Sequence, residues 1–195
     1  AARRHYTINA LYADPHSLEI FDWFDGHVDL RQRRVRFIGD ARQRIREDHL
    51  RVLRYFRFQA RFGSLPADAE AELACAELAP TLKGLSRERV GWELQNLLAL
   101  PDPGPTIARM AELGVLAVIL PEADPAALKA LIAAEREQRI APDPIRRLAS
   151  LLPAARAVAE QVAARLRLSV AQKKRLAPAA KRERGDPRAL AYRLG

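Results

Sequence analysis

The sequence has one cysteine, few aromatic residues and no long apolar run among its 195 residues. Cys75 has no partner for an internal disulfide, which excludes a disulfide-stabilised secreted domain and fits a reducing cytoplasm. No stretch approaches the roughly 18 apolar residues of a membrane span, and no signal-peptide pattern opens the chain. We therefore expect a cytoplasmic globular protein without membrane association, built as one large or two small domains.

Positive charge is present in excess and is unevenly distributed. The net charge is +9, and residues 31–61 alone hold eleven arginines against three acidic residues. A second basic stretch, residues 173–184, carries a net charge of +5. Arginine suits phosphate and stacked bases because its planar guanidinium is bidentate and weakly hydrated. The leading expectation is a polyanionic partner.

Strand patterns are confined to the first 40 residues. The runs 7–12, 18–24 and 34–38 alternate or are rich in β-formers, and the turn at 14–17 predicts a hairpin between the first two. From Pro66 onward the pattern is one helix after another, with capping residues expected at Ser86 and Ser169. The expected fold class is mainly α, with a residual β-strand edge followed by an all-helical part.

Glu47–Phe58 carries the most specific chemistry in the sequence. In a single helix beginning by about Arg42, its apolar residues fall on one face and its charged residues on the other. Asp48 and Arg51 are three residues apart, so a carboxylate and a guanidinium would lie side by side. Taken alone, such a pair is either a solvated salt-bridge ladder or an edge that reads a base.

The base-reading interpretation follows from donor and acceptor positions. Cytosine and adenine present an amine donor beside a ring-nitrogen acceptor, which a carboxylate and a guanidinium can satisfy. Uracil and guanine present a carbonyl and a ring N–H instead. The carbonyl would face the carboxylate and the ring N–H would face the guanidinium, so acceptor would oppose acceptor and donor would oppose donor. An unpaired buried polar group costs about 1–3 kcal/mol, so two mismatches give strong rejection. A helix of this kind could select C and A without a template.

Several motifs occur in a fixed order and together suggest a family. They are RR-x-YTINAL from Arg3, DWFDG-xx-DL from Asp22, RFIGD from Arg36, ED-x-LR-x-LR-xx-RF from Glu47 and LSRERV from Leu85. This order resembles the class II tRNA nucleotidyltransferase (CCA-adding enzyme) and bacterial poly(A) polymerase family. The segment Pro142–Leu148 is also similar to proteobacterial members.

The resemblance implies a domain order and an activity. Residues 1–40 would be the C-terminal part of the nucleotidyltransferase head, 41–100 a neck with the base-reading helix, and 101–195 a truncated helical body. The full enzyme would transfer CMP and AMP from CTP and ATP to the 3′ end of tRNA. The nearest alternative is a poly(A) polymerase that adds only AMP. A non-catalytic RNA-binding helical module is the alternative from another class, and no protein partner can be inferred.

The resemblance also implies roles for individual residues. Asp48 and Arg51 would read the incoming base, Arg54 and Arg57 would contact the nucleotide, and Arg4 would contact its ribose or triphosphate. Glu88 and Arg89 would brace the neck. The basic stretch, with Lys173, Lys174 and Arg175, is either part of the tRNA contact or a solvated helix face.

Two departures from the family pattern concern the site. His5 replaces the aspartate of the first motif, which the family places near the ribose, and Asp25 stands where glycine is usual. Family members hold two Mg²⁺ with an Asp-x-Asp pair on an upstream strand, and no such pair occurs here. The four histidines show no metal-ligand spacing either. We therefore expect no catalytic residue and no metal site in this chain, and no nucleotide addition by the chain alone.

Overall fold

The computed structural model describes residues 4–182 and confirms the predicted mainly α fold class in this part of the chain. Two short 3₁₀ segments, Thr7–Asn9 and Ala79–Gly84, accompany the regular elements. The regular elements are β1 (Tyr12–Ala13), β2 (Ile20–Phe21), α1 (Gly26–Arg31), α2 (Ala41–Glu47), α3 (Arg51–Phe62), α4 (Ala69–Leu78), α5 (Arg87–Leu98), α6 (Gly104–Glu112), α7 (Val115–Ile119), α8 (Ala126–Glu137), α9 (Pro144–Leu151), α10 (Arg156–Arg165) and α11 (Val170–Lys181). No described helix has the length and apolar character needed to cross a bilayer.

The chain forms two compact units. The first unit comprises the described residues up to Leu85 together with Arg109–Ile119. The second unit comprises Ser86–Ala108 and the described residues from Leu120 onward. The division into 1–40, 41–100 and 101–195 that the sequence suggests stays a prediction.

The predicted hairpin exists in the first unit, but the predicted strands are largely replaced by turns. β1 and β2 are antiparallel, with Tyr12 opposite Phe21. In the described residues, segment 34–38 contributes one bridge, between Phe37 and Tyr6, rather than a strand. The reason is side-chain bonding: the Thr7 hydroxyl donates to the Asp29 carboxylate at 2.5 Å, and Arg36 pairs with the same carboxylate at 2.7 Å. These contacts hold the backbone in turns that residue alternation does not reveal.

Helix α1 begins at a turn built around Asp22 and Asp25. The Asp22 carboxylate accepts the backbone N–H groups of Gly26 and His27, each at 2.9 Å. Asp25 has the left-handed backbone conformation, with φ 56°, which aspartate adopts more readily than most residues. A Cβ on Gly26 would lie 2.2 Å from the carbonyl oxygen of Thr7, so glycine is required there. Aspartate at position 25 is therefore compatible with the turn.

The stretch Glu47–Phe58 is not one continuous helix, and that prediction is wrong. Asp40 caps the start of α2 through its side chain, which accepts from the Gln43 N–H, and α2 ends at Glu47. Asp48 is extended, with φ −154° and ψ 103°. Its carboxylate accepts the Leu50 N–H at 3.2 Å and its carbonyl accepts the Arg51 N–H at 3.0 Å. These local bonds compete with helical ones, so the backbone leaves the helix at Asp48 and α3 begins at Arg51.

The core of the first unit fixes the start of α3. Val52, Leu53 and Phe56 are buried, as the helical period predicts. The buried Tyr6 donates its hydroxyl hydrogen to the Arg51 carbonyl at 2.8 Å. Its ring packs on Phe58, with centroids 4.9 Å apart. Phe58 thus packs within the protein, and the residues beside Tyr6 are held next to the first turn of α3.

Arginines of the basic stretch 31–61 are paired extensively within the first unit. At least six of the eleven form ion pairs with carboxylates. The pairs are Arg34–Asp68, Arg36–Asp29, Arg42–Glu77, Arg44–Glu47, Arg51–Glu47 and Arg54–Asp48.

The helices of the second unit follow the predicted capping residues. The Ser86 side chain accepts the Arg89 N–H at the start of α5. Ser169 forms the predicted capping box with Gln172 at the start of α11. In the first unit, the short helix α7 buries Val115, Leu116 and Ile119. The helix expected after Asp186 lies outside the described residues.

A buried guanidinium links three elements of the second unit. Arg147 is 1 % exposed, and its guanidinium donates to Glu135 at 2.8 Å. It also donates to the carbonyls of Leu98 at 2.7 Å and Leu100 at 2.5 Å, just beyond α5. Because the charge and its donors are all satisfied, α5, α8 and α9 are held together at this point.

Candidate functional site

The predicted base-reading residues lie at the break between α2 and α3. Asp48 is half-buried, and one carboxylate oxygen is 3.7 Å from Nη1 of Arg54. The pairing expected from the sequence, Asp48 beside Arg51, is replaced here by an approach of Arg54. The carboxylate remains partly accessible, with 26 % of its side chain exposed, and it is an acceptor for an amine.

Two residues of α2 hold the guanidinium of Arg51 in place. It is buried, and its Nη1 donates to the Arg44 carbonyl at 2.7 Å and to the Glu47 carboxylate. The hydrogen bond from Arg51 keeps the pKa of Glu47 below its usual value. Nε of Arg51 is buried without a hydrogen-bond partner among residues 4–182. The guanidinium is therefore fixed in orientation and has one donor unsatisfied.

His5 lies among these groups. Burial lowers its pKa from 6.5, and the charges of Arg51 and Arg54 lower it further. The Asp48 carboxylate opposes this shift, and Arg44 adds to it. Nδ1 of His5 is buried without a partner in the described residues. An imidazole carries no negative charge, so the position occupied by aspartate in the family pattern contributes none here.

The other predicted nucleotide contacts, Arg4 and Arg57, are near the cluster in sequence, and the Arg4 side chain hydrogen-bonds with Tyr12 of β1. Arg4 is exposed and directly precedes His5. Arg57 is half-buried on α3, one turn beyond Arg54, with its guanidinium carbon 5.2 Å from the centre of the Phe58 ring. The structure thus brings Asp48, Arg51 and Arg54 together with His5. Arg4 and Arg57 are close to these residues in sequence, and their contact with a nucleotide stays a prediction.

Two supporting residues were missed by the sequence reasoning. Arg44 and Glu47 position Arg51, although neither was predicted as a site residue. The spacing of Glu47 and Arg51, four residues apart, was a detectable signal for an ion pair. The bond from Arg51 to the Arg44 carbonyl could not be predicted, because this carbonyl lacks a helical partner only since α2 ends at Glu47.

The remaining predicted residues belong to the second unit. Glu88 and Arg89 are exposed in the first turn of α5, and their role in bracing the neck stays a prediction. Lys173, Lys174 and Arg175 are exposed on α11, and Arg175 pairs with Asp143 at 2.6 Å. The final part of the basic stretch, residues 183 and 184, lies outside the described residues.

The carboxylates of the site do not form a magnesium site. Asp48 is engaged by Arg54, and Glu47 by Arg51 and Arg44. A carboxylate paired with arginine is a poor ligand for a second cation, and Mg²⁺ prefers several oxygen ligands in octahedral geometry. The described residues contain no group of three or more acidic, histidine or cysteine side chains that could hold a metal ion. No chemical step is therefore derived through a metal in this chain.

Comparisons with known proteins agree on one family. Two family models match, one described as "Poly A polymerase head domain" over residues 1–36 and one as "Probable RNA and SrmB- binding site of polymerase A" over residues 68–127. The mitochondrial CCA tRNA nucleotidyltransferase 1 of Mus musculus is 43% identical over 117 residues. That match covers 59% of this chain and 27% of the relative, so the chain spans about a quarter of the relative's length.

Solved structures show the same fold. A Thermotoga maritima CCA-adding enzyme complexed with tRNA matches with a TM-score of 0.69 at 22% identity, covering 92% of this chain and 47% of that one. A CCA-adding enzyme in complex with ATP matches with a TM-score of 0.69 at 23% identity, covering 92% and 46%. These solved structures show the fold, and the motifs, the two family models and the mitochondrial relative together support the class II tRNA nucleotidyltransferase (CCA-adding enzyme) and bacterial poly(A) polymerase family for this chain.

Proposed function

We propose that this chain carries the nucleotide-selecting part of an enzyme that adds CMP and AMP, taken from CTP and ATP, to the 3′ end of tRNA. The observation that carries the proposal is the pair of complementary groups at the break between α2 and α3. Asp48 supplies an acceptor, and Arg51, oriented by Glu47 and the Arg44 carbonyl, supplies a donor. The similarity to CCA-adding enzymes whose structures contain tRNA or ATP supports the choice of substrates.

The proposed selection uses fixed charges rather than a template. The amine of cytosine or adenine would donate to Asp48, and the ring nitrogen would accept from Arg51. Arg54, Arg57 and Arg4 would hold the phosphates or the ribose. Because Arg51 is already bonded on its α2 side, it loses little side-chain freedom when a nucleotide binds. Mg²⁺ would be held by other residues of a complete enzyme, and this chain alone would not catalyse addition.

Equilibrium binding of the four nucleoside triphosphates to the chain tests the proposal. CTP and ATP should bind at least about tenfold more tightly than UTP and GTP, because each mismatch leaves polar groups unpaired. Asp48→Ala should remove this preference, whereas Glu70→Ala, which removes an exposed carboxylate of the same unit, should keep it. Equal binding of all four nucleotides to the unaltered chain would contradict the proposal.

A poly(A) polymerase is the second candidate, because both matching family models carry that enzyme in their descriptions. The two functions differ in the use of CTP. A complete protein containing this sequence, supplied with tRNA that lacks its 3′ end, should incorporate both CMP and AMP. Incorporation of AMP alone would favour the poly(A) polymerase. A result in which no nucleotide binds and none is incorporated would favour the third interpretation, a non-catalytic RNA-binding module.

A further inference from the structure

Trp92 is an exposed indole on an otherwise polar face of α5. It is 59% exposed, although tryptophan is among the side chains that gain most from burial. One turn earlier on the same face are Glu88 and Arg89, and one turn later is Asn96, whose side-chain amide donates to the Trp92 carbonyl at 2.9 Å. The helix packs through other residues, so the indole is not part of the core of the second unit.

The position of α5 places this face beside the turn that leads into α11. Gly91 approaches Leu166 so closely that a Cβ would lie 2.5 Å from the Leu166 carbonyl oxygen. Gln95 accepts a hydrogen bond from Gln172 at 2.5 Å, near the start of α11. Trp92 is adjacent to Gly91 in sequence, and Lys173 is adjacent to Gln172. Trp92 and Lys173 are therefore on two helices that pack together at this contact, and Trp92 is also one turn before Gln95 on α5.

The α11 side of this contact is strongly basic. Residues 166–182 contain six basic residues and no acidic residue. Lys173 and Lys174 are exposed in the first turn of the helix, and Arg167 precedes it in the left-handed conformation with φ 54°. An exposed aromatic ring bordered by cations is the combination that binds single-stranded nucleic acid, because the ring stacks on a base while the cations contact phosphates.

We propose that Trp92 stacks on an unpaired base of the RNA substrate, while Lys173 and Lys174 contact the adjoining phosphates. A protein partner is a poorer match for this surface, because an aromatic anchor in a protein interface is surrounded by groups that exclude water. Trp92 instead has Arg89 and Asn96 one turn away on its own helix, and the helix packed against α5 carries exposed lysines. This inference rests on the proposed function for its choice of RNA, and it assigns an RNA contact to α5 in addition to α11.

Intrinsic fluorescence provides the test, because the sequence contains only two tryptophans, Trp23 and Trp92. In the Trp23→Phe variant, a single-stranded oligoadenylate of twelve nucleotides should quench the remaining fluorescence to saturation. Trp92→Ala should weaken binding of this RNA by about fivefold or more, the loss expected for one stacked base, and Trp92→Phe should retain part of the affinity. Trp23→Ala is a matched control, because Trp23 is equally exposed at 60% but lies on the hairpin.

Charge reversal tests the second half of the proposal. Lys173→Glu with Lys174→Glu should weaken RNA binding and reduce its dependence on salt, whereas Lys129→Glu, an exposed lysine elsewhere in the second unit, should change it little. Unchanged fluorescence with RNA, or equal effects of the alanine variants at the two tryptophans, would overturn the inference. The proposed function is tested separately by nucleotide binding, so either proposal can fail while the other stands. Circular dichroism of each variant verifies that it is folded.

Discussion

The guanidinium of Arg147 and the carboxylate of Glu135 are joined at 2.8 Å with side chains only 2% and 3% exposed. Removal of the Arg147 side chain leaves Glu135 paired with Arg146, but it takes away the hydrogen bonds to the carbonyl oxygens of Leu98 and Leu100 and one of the two guanidinium partners of a buried carboxylate. Arg147→Ala should therefore lower the free energy of unfolding by about 3–5 kcal/mol, measured by urea denaturation. Arg146 offers a control, since it binds the same carboxylate at 2.6 Å with its side chain 36% exposed. A loss for Arg146→Ala as large as that for Arg147→Ala would contradict this explanation.

Arg51 provides a test of nucleotide selection. In a complete protein containing this sequence, Arg51→Ala should impair the use of both CTP and ATP and leave tRNA affinity nearly unchanged. The reason is that Arg51 is buried at the break between α2 and α3, where Glu47 and the Arg44 carbonyl hold it, and is not exposed to a phosphate backbone. Steady-state kinetics with each nucleotide and a separate tRNA-binding titration measure the two effects. Arg46→Ala, an exposed arginine of α2, serves as the control. Equal loss of tRNA binding would assign Arg51 to phosphate contact instead.

His5 should make the stability of the chain sensitive to mild acid. Burial and the neighbouring arginines lower its pKa below 6.5, so the unfolded chain binds the proton more readily than the folded chain. Stability should therefore fall as the pH is lowered from 7 through the range just below 6.5. Thermal unfolding at several pH values measures this slope.

The control for the pH effect is His5→Gln, which keeps polar character but does not titrate. Its unfolding temperature should change less between pH 7 and pH 5.5 than that of the unaltered chain. The carboxylates with lowered pKa, such as Glu47 and Asp143, lose their contribution only at lower pH and do not interfere in this range. Identical slopes for the two proteins would show that His5 does not cause the effect.

Gly91→Ala should destabilise the protein, although replacing glycine by alanine within a helix usually stabilises it. Replacement of glycine by alanine in a helix ordinarily stabilises by roughly 1 kcal/mol. At Gly91 the new methyl group would lie 2.5 Å from the Leu166 carbonyl oxygen, so overpacking should instead destabilise by about 1–3 kcal/mol. Gly84→Ala is the control, because a Cβ at that position would have no atom within 4 Å. Thermal unfolding of the two variants should therefore differ clearly, and similar unfolding temperatures would contradict the predicted clash.

Local sequence signals predicted the helical part of the fold well. Ser86 and Ser169 begin helices because their hydroxyls accept backbone N–H groups that would otherwise be unsatisfied. The corresponding signal at Asp48, a side chain that can accept a nearby backbone N–H, was overlooked because the hydrophobic period continues across the break between α2 and α3. Hydrophobic periodicity indicates which residues face the core, but it does not indicate whether the helical backbone hydrogen bonds between those residues are continuous.

Long-range contacts account for what the sequence could not predict. The strand pattern near Thr7 gave way to a turn because Asp29, 22 residues away, accepts a hydrogen bond from its hydroxyl. In the candidate site, Asp48 and Arg51 were found from residue type and spacing together with the family motif. The approach of His5 to Arg51 depends on the bond from Tyr6 to the Arg51 carbonyl, which joins residues 45 positions apart.

The ion pairs of the arginine-rich stretch have a consequence for how fast a polyanion can associate with the chain. A guanidinium already beside a carboxylate forms a dipole, whose field weakens with distance much faster than that of an isolated charge. At least six arginines of residues 31–61 are compensated in this way, whereas in residues 166–182 Arg175 pairs with Asp143 and the segment itself holds no acidic residue. Diffusional steering of a polyanion should therefore depend more on the lysines of α11 than on the stretch with the most arginines, and the association rate constant should report the difference.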